Sequence, residues 1–198
     1  QPLKSDVSTV FAKLNEAYGV LSDAAKRTSY IATLGSSANA ADEAAIVNRV
    51  MDAAIEFQKA EVLVRRNNLV EAEQYAGRAA LADPEQPDYV VLLTWIKALR
   101  RGDPPAFPEG KSSTHYDDLL VTLDGVLQKH ARLEKALFYR ATLLKKTGRE
   151  ERAIRDFRVV VQLNPKNIDA VREVRLAQMR RDAKKKDEGG ILGKLFKK

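Results

Sequence analysis

The sequence predicts an all-α fold built from repeated antiparallel helix pairs. Three observations carry this prediction. Apolar residues recur at helical spacing along almost all of the 198 residues, and alanine is the commonest of them. Runs of β-branched residues that would mark strands are scarce. Two stretches, 53–86 and 134–167, also repeat one another. Ala60, Leu63, Ala72, Ala79 and Pro84 in the first align with Ala141, Leu144, Ala153, Val160 and Pro165 in the second, at a constant offset of 81.

Each element follows in chain order. Phe11, Leu14, Tyr18 and Leu21 form one apolar helical face, and Ser22 or Asp23 can cap a second helix that ends at Gly35. Residues 36–52 read as a small-residue linker (Gly35–Ala41) and a helix extension from Asp42, with Ile46, Val50 and Ile55 leading into the first repeat. Between the matching stretches, residues 87–133 hold a middle repeat. Tyr89–Arg100 reads as its first helix, and Thr114–His130, with Leu119, Leu123 and Val126 on one face, as its second. The intervening RRGDPPAFPEGKSS cannot continue a helix. An insertion at about 101–113 accounts for the offset of 81, being 13 residues beyond two 34-residue units, and reads as a tolerated lengthening of the turn. Residues 168–186 suit a capping helix with Ile168, Val171, Val174, Leu176 and Met179 among charges, and residues 187–198 form a basic amphipathic tail.

The stretch from Ala136, ALFYRATLLKKTGREERAIRDFRVVVQLNPKN, resembles the tetratricopeptide repeat. Small Ala141 and Ala153 stand where two helix axes cross closely, Gly148 is at the turn, Phe157 follows, and Pro165 closes the unit. The pattern departs at the leading Trp, which is Glu56 or Leu137 here, and at the first copy's turn Gly, which is Asn67. The resemblance implies a superhelix of antiparallel helix pairs. A second resemblance covers residues 1–35: Phe11, Asn15, Glu16, Ala17, Tyr18, Leu21, Ser22, Asp23, Lys26, Arg27 and Tyr30 look like the closing half of a J-domain, the DnaJ-type co-chaperone module. That module acts on its DnaK-type partner through a His-Pro-Asp tripeptide, and the two histidines here stand at 115 and 130. Either a J-domain is completed upstream of Gln1, or the hairpin is a structural cap. The chain is therefore not expected to stimulate an ATPase by the family's route.

Composition narrows the function classes. The formal charge is +7, of which residues 172–198, with 10 basic and 4 acidic residues, carry +6. The body reads as near-neutral, which argues against nucleic-acid binding. Cysteine is absent, so neither a disulfide scaffold nor a thiolate site is possible; a cytoplasmic setting is expected, and the chain has a bacterial character. No apolar run is long enough to cross a bilayer, no signal-peptide pattern is visible, and the Gln1-Pro2 start suggests a piece of a longer protein. The sequence holds no phosphate loop, paired-histidine motif or serine elbow, so no catalytic residue, cofactor or metal is expected. His115 and His130 read as solvated residues or helix-dipole partners, and Glu151–Arg155 as a surface ion pair.

The tetratricopeptide resemblance implies a protein partner, a peptide or helix, in the groove made by the first helix of each repeat. The positions it selects are Phe57, Gln58 and Glu61; Val91, Leu92, Trp95 and Leu99; and Lys135, Phe138, Tyr139 and Thr142. Trp95, Leu92 and Phe138 could equally pack inside the array. Family members that grip acidic chaperone tails carry Lys, Asn, Asn, Lys and Arg at positions held here by Phe57, Glu61, Leu92, Lys135 and Tyr139. One match in five disfavours that clamp. In the tail, Ile191, Leu192, Leu195 and Phe196 share a side, with Lys194, Lys197 and Lys198 around them. That arrangement suits an anionic membrane or an acidic partner, while Gly189, Gly190 and Gly193 favour a frayed solvated end. The leading expectation is a non-enzymatic interaction scaffold; a co-chaperone fragment and a tail-driven peripheral adaptor are the alternatives.

Overall fold

The structure is a computed structural model. It describes the backbone of residues 2–35 and 38–195, and the side chains of residues 11–33 and 45–183. Among these residues it is all-helical: α1 Pro2–Ser22, α2 Ala24–Gly35, α3 Ala38–Arg65, α4 Leu69–Ala82, α5 Pro87–Arg101, α6 Asp117–Lys129, α7 Glu134–Lys146, α8 Glu150–Leu163 and α9 Ile168–Leu195. The chain divides into two compact units, Gln1–Met51 and Asp52–Lys198.

The first unit contains the α1–α2 hairpin. Its break falls at Asp23, whose carboxylate accepts the Ala25 and Lys26 amide hydrogens at 2.8 and 3.1 Å and so satisfies two free donors of α2. None of its described side chains is buried; Phe11, Leu14, Tyr18, Leu21, Tyr30 and Ile31 are all exposed. Helix α3 begins at Ala38 and not at Asp42, because Ala38, Ala40 and Ala41 are strong helix formers and extend the helix into the expected linker.

In the second unit, consecutive helices pack as antiparallel neighbours. Small residues make this possible: Ala53, Ala60, Ala72, Ala76, Ala79, Ala136, Ala141, Ala153 and Ala170 are fully buried, so backbones approach where these side chains are short. Ala60, Ala72, Ala76, Leu92 and Ile96 form one core, and a larger one joins Leu119, Leu123, Leu137, Leu143, Leu144, Phe157 and Val160. The turns are built alike. Helix α7 ends with the Arg149 amide donating to Leu144 O (2.8 Å) and the Gly148 amide to Lys145 O (3.1 Å), a Schellman motif with Gly148 at φ 78°. Helix α3 ends identically, with Asn68 donating to Leu63 O, Asn67 to Val64 O, and Asn67 at φ 58°. The departure at the first copy's turn is thereby explained, since Asn is the residue that best replaces Gly in the left-handed region.

Helix α6 starts at Asp117, later than expected, and Thr114 and His130 lie outside it. The 102–116 segment before it is not a loose connection. The Ser113 amide donates to Thr147 O at 3.0 Å, and Arg149 donates to Ser113 O at 3.1 Å and pairs with Asp117 at 2.5 Å. Buried Tyr116 donates its hydroxyl to Gly102 O, and Arg101 grips Asp118 through two bonds of 2.6 and 2.7 Å. The insertion is thus a strap from the end of α5 over the α7–α8 turn.

Candidate partner-binding groove

Arrangement of the first helices of each pair decides what the groove residues do. Trp95 on α5 stacks on Tyr139 of α7, with ring centroids 4.4 Å apart and planes 4° from parallel. Phe138 meets Tyr139 and the buried Phe157 edge-on at 6.1 and 5.8 Å. The Thr142 hydroxyl is spent on Phe138 O at 2.9 Å, which leaves its methyl to the groove. Burial pushes the Tyr139 hydroxyl pKa up, so it remains a neutral phenol. At the other end of this face, Lys135 donates to Glu61 at 2.9 Å and lies 5.6 Å from the Phe57 ring, which in turn packs on Tyr89 at 4.8 Å. Burial works to lower the Lys135 pKa, but the hydrogen bond and charge of Glu61 outweigh it and leave the ammonium above its ordinary value.

Two of the expected groove residues are not available. Val91 is fully buried and Leu92 is 6% exposed, each inside one of the two cores. At about 100° per residue both lie within a turn of Trp95 on the same side of α5, but residues of α6–α8 close over Val91 and residues of α3 and α4 over Leu92, which leaves Trp95 the more accessible of the three. Gln58 also leaves the set, because it lines a separate cavity of about 420 Å³ between α3 and α4 with Ile55, Val62 and Tyr75. Leu99 is half-buried. Glu151 and Arg155, expected as a surface pair, are both exposed and form no ion pair. The side chains of Ile191, Leu192, Lys194 and Leu195, and the whole of Phe196, Lys197 and Lys198, lie outside the described residues.

Of the remaining set, Trp95, Phe138 and Thr142 line a cavity of about 430 Å³, while Phe57, Glu61, Leu99, Lys135 and Tyr139 lie outside its lining. Trp95, Phe138, Thr142 and Phe157 supply its apolar part, and Lys145, Lys146, Asp169, Arg172 and Glu173 its rim. The rim is an alternating ring of charges: Lys145–Glu173 at 2.7 Å, Arg172–Asp169 at 3.1 Å, and Lys146 reaching Asp103 of the strap at 2.5 Å. Helix α9, expected as a cap, packs Ala170 and Val174 against the core, and Asp169, Arg172 and Glu173 of its first turns also line the cavity. A sequence signal for this existed. Asp169, Arg172 and Glu173 stand 34 residues after Lys135, Phe138 and Tyr139, the same repeat length applied once more.

Among the described residues no group of side chains could hold a metal ion, and no helix is long and apolar enough to cross a membrane. No protein family's sequence profile matches this chain, and no characterised protein matches it in sequence. Solved structures do match in fold. The first tetratricopeptide domain of Spaghetti (RPAP3) bound to the HSP90 peptide SRMEEVD superposes with a TM-score of 0.54 at 16% identity, covering 67% of this chain and 98% of that one. The first such domain of human RPAP3 gives 0.53 at 16% identity over 68% and 96%. The Arabidopsis OM64 domain gives 0.54 at 13% identity over 67% and 98%. The fold is tetratricopeptide-like, and at these identities the likeness extends to the fold alone.

Proposed function

We propose that this chain is a non-enzymatic cytoplasmic scaffold that binds a peptide or helix of a protein partner in the groove of α5, α7 and α9. The observation that carries this reading is the cavity itself, an apolar floor ringed by charges on the face formed by the first helices of successive pairs. Such sites bind by burying an apolar anchor while polar groups fix its orientation. The partner-bound tetratricopeptide neighbour supports the reading as an analogy of fold. Only one of the five clamp positions for acidic chaperone tails, Lys135, is matched here, so an HSP90-type tail is not the partner proposed. Affinity capture with the native chain and with a Thr142→Glu/Arg172→Glu variant tests the groove. Both positions line the cavity and neither is in the buried core. Loss of the captured partners in the variant is expected, and recovery of the same proteins in the same yield would sink the reading.

A second reading rests on the first unit, where the exposed Phe11, Leu14, Tyr18 and Leu21 face carries the J-like residues. A co-chaperone role would require the His-Pro-Asp tripeptide, which this sequence lacks. The co-chaperone alternative therefore depends on a tripeptide supplied upstream of Gln1, and for these residues alone we propose a structural role for the hairpin. Adding the purified chain to a DnaK-type chaperone should leave ATP turnover unchanged, and a rise would favour the co-chaperone alternative.

A further inference from the structure

We propose that the insertion carries a built-in competitor for the groove: Asp103 holds Lys146 as a stand-in for a carboxylate of the partner, which is an acidic segment with one apolar anchor that binds by exchanging with it. The inference rests on the groove reading above and names its partner class.

The rim cations are all occupied, but not equally. Lys145 is held by Glu173, a carboxylate with only 15% of its side chain exposed, and that pair is part of the wall. Lys146 is held by Asp103, which is 75% exposed, and Arg172 by Asp169, which is 63% exposed. Exposed pairs of this kind contribute little stability, so trading one carboxylate for another costs little. Asp103 differs further in coming from the strap and not from a groove helix. The strap has its own anchors at Ser113, Thr147 and Arg149, so releasing Lys146 leaves it seated. The hydrogen bond and charge of Lys146 hold the Asp103 carboxyl below its ordinary range, so it stays ionised and competes at neutral pH.

The surroundings favour an anionic partner. Within the second unit, residues 131–183 hold 14 basic and 7 acidic residues, against 9 and 13 in residues 52–130. The cavity is formed mainly from the basic part, whose field draws an acidic segment toward it. The floor of Trp95, Phe138 and Phe157 then receives one apolar side chain.

Trp95 is the single tryptophan of the chain and lines the cavity, so its emission reports occupancy directly. Three probe peptides suffice: Glu-Glu-Asp-Phe-Leu-Asp-Glu-Glu, the same peptide with every acid replaced by its amide, and one with Phe-Leu replaced by Ser-Ser. The first should bind more tightly than the other two, and its affinity should fall with added salt. In Asp103→Asn its affinity should rise about two- to fivefold, the range an exposed ion pair commands, while the amide peptide is unchanged. Lys146→Gln/Asp103→Asn should lose that gain. If Asp103→Asn leaves the acidic probe unaffected, or helps both peptides equally, the exchange is wrong while the groove stands. If no probe alters Trp95 emission, the groove reading falls with it.

Discussion

Gly148 shows how much one residue can be asked to do. It needs the left-handed backbone for the α7–α8 turn, and a Cβ there would lie 2.8 Å from Lys111 O and 2.9 Å from the Phe107 ring. Gly102 and Gly110 share the positive φ but face open space. Gly148→Ala should therefore destabilise the second unit by more than the roughly 1–2 kcal/mol of left-handed strain, and Gly102→Ala by about that amount alone; urea unfolding would measure both. Sequence made the turn glycine legible but not the strap pressed on it, because Phe107 arrives from 41 residues away. Val91 and Leu92 illustrate the opposite failure. Family offsets select a short strip of helix, and which of its residues faces outward depends on rotation that only the packed neighbours settle. Charge pairs act at this scale too. Hydrogen bonding from Arg101 brings the Asp118 carboxyl down from 3.8 to about 2. A depressed acid contributes stability that is whole above its unfolded value and is lost as pH falls through the folded one. The native chain should thus lose about 0.2–1 kcal/mol between about pH 4 and 2 through this exposed pair, and Arg101→Gln should lose less over the same window; thermal melts across that range would show it.

At the level of helices, the decisive contacts are between elements that sequence spacing cannot pair. Arg140 on α7 donates to Asp156 of α8 at 2.7 and 2.8 Å and to Asp124 of α6 at 2.7 Å, tying three helices with one guanidinium. Asp156 is 8% exposed and would be left with a desolvated charge if the guanidinium were removed. Arg140→Met should cost about 1.5–3 kcal/mol in chemical denaturation, and Arg140→Met/Asp156→Leu should recover part of it. Helix identity itself was readable, since alanines at the crossings and the prolines closing each unit mark the pairs. The helix ends follow the macrodipole, with Asp117 and Asp118 opening α6 and Lys145 and Lys146 closing α7. The charges of α9 disguised its contribution to the cavity lining, although the repeat spacing pointed to it. Its first turns look like a polar cap because Asp169, Arg172 and Glu173 are charged, yet charged residues are what the rim of this cavity is made of.

Over the molecule as a whole, the net +7 divides unevenly between a slightly acidic first two thirds and a basic remainder, a segregation that counting the tail alone conceals. The tail side chains lie outside the described residues, so the membrane alternative rests on sequence. Co-sedimentation with phosphatidylserine vesicles, with and without residues 187–198, should show no more than weak, salt-sensitive binding, since so short a segment gives marginal affinity. Stacked helix pairs ordinarily touch only the pair before and the pair after, so they can fray one at a time from either end. The strap strengthens one such junction. By fastening the end of α5 to the turn between α7 and α8, it adds hydrogen bonds and an ion pair between the α5–α6 pair and the pair after it. The amides of α5 to α8 should then open as one cooperative block in native-state hydrogen exchange. Those of α4, beyond the strap, are free to open first. The α5 and α7 walls of the groove are thus carried on the block that opens last, and stay formed while the leading end of the array breathes.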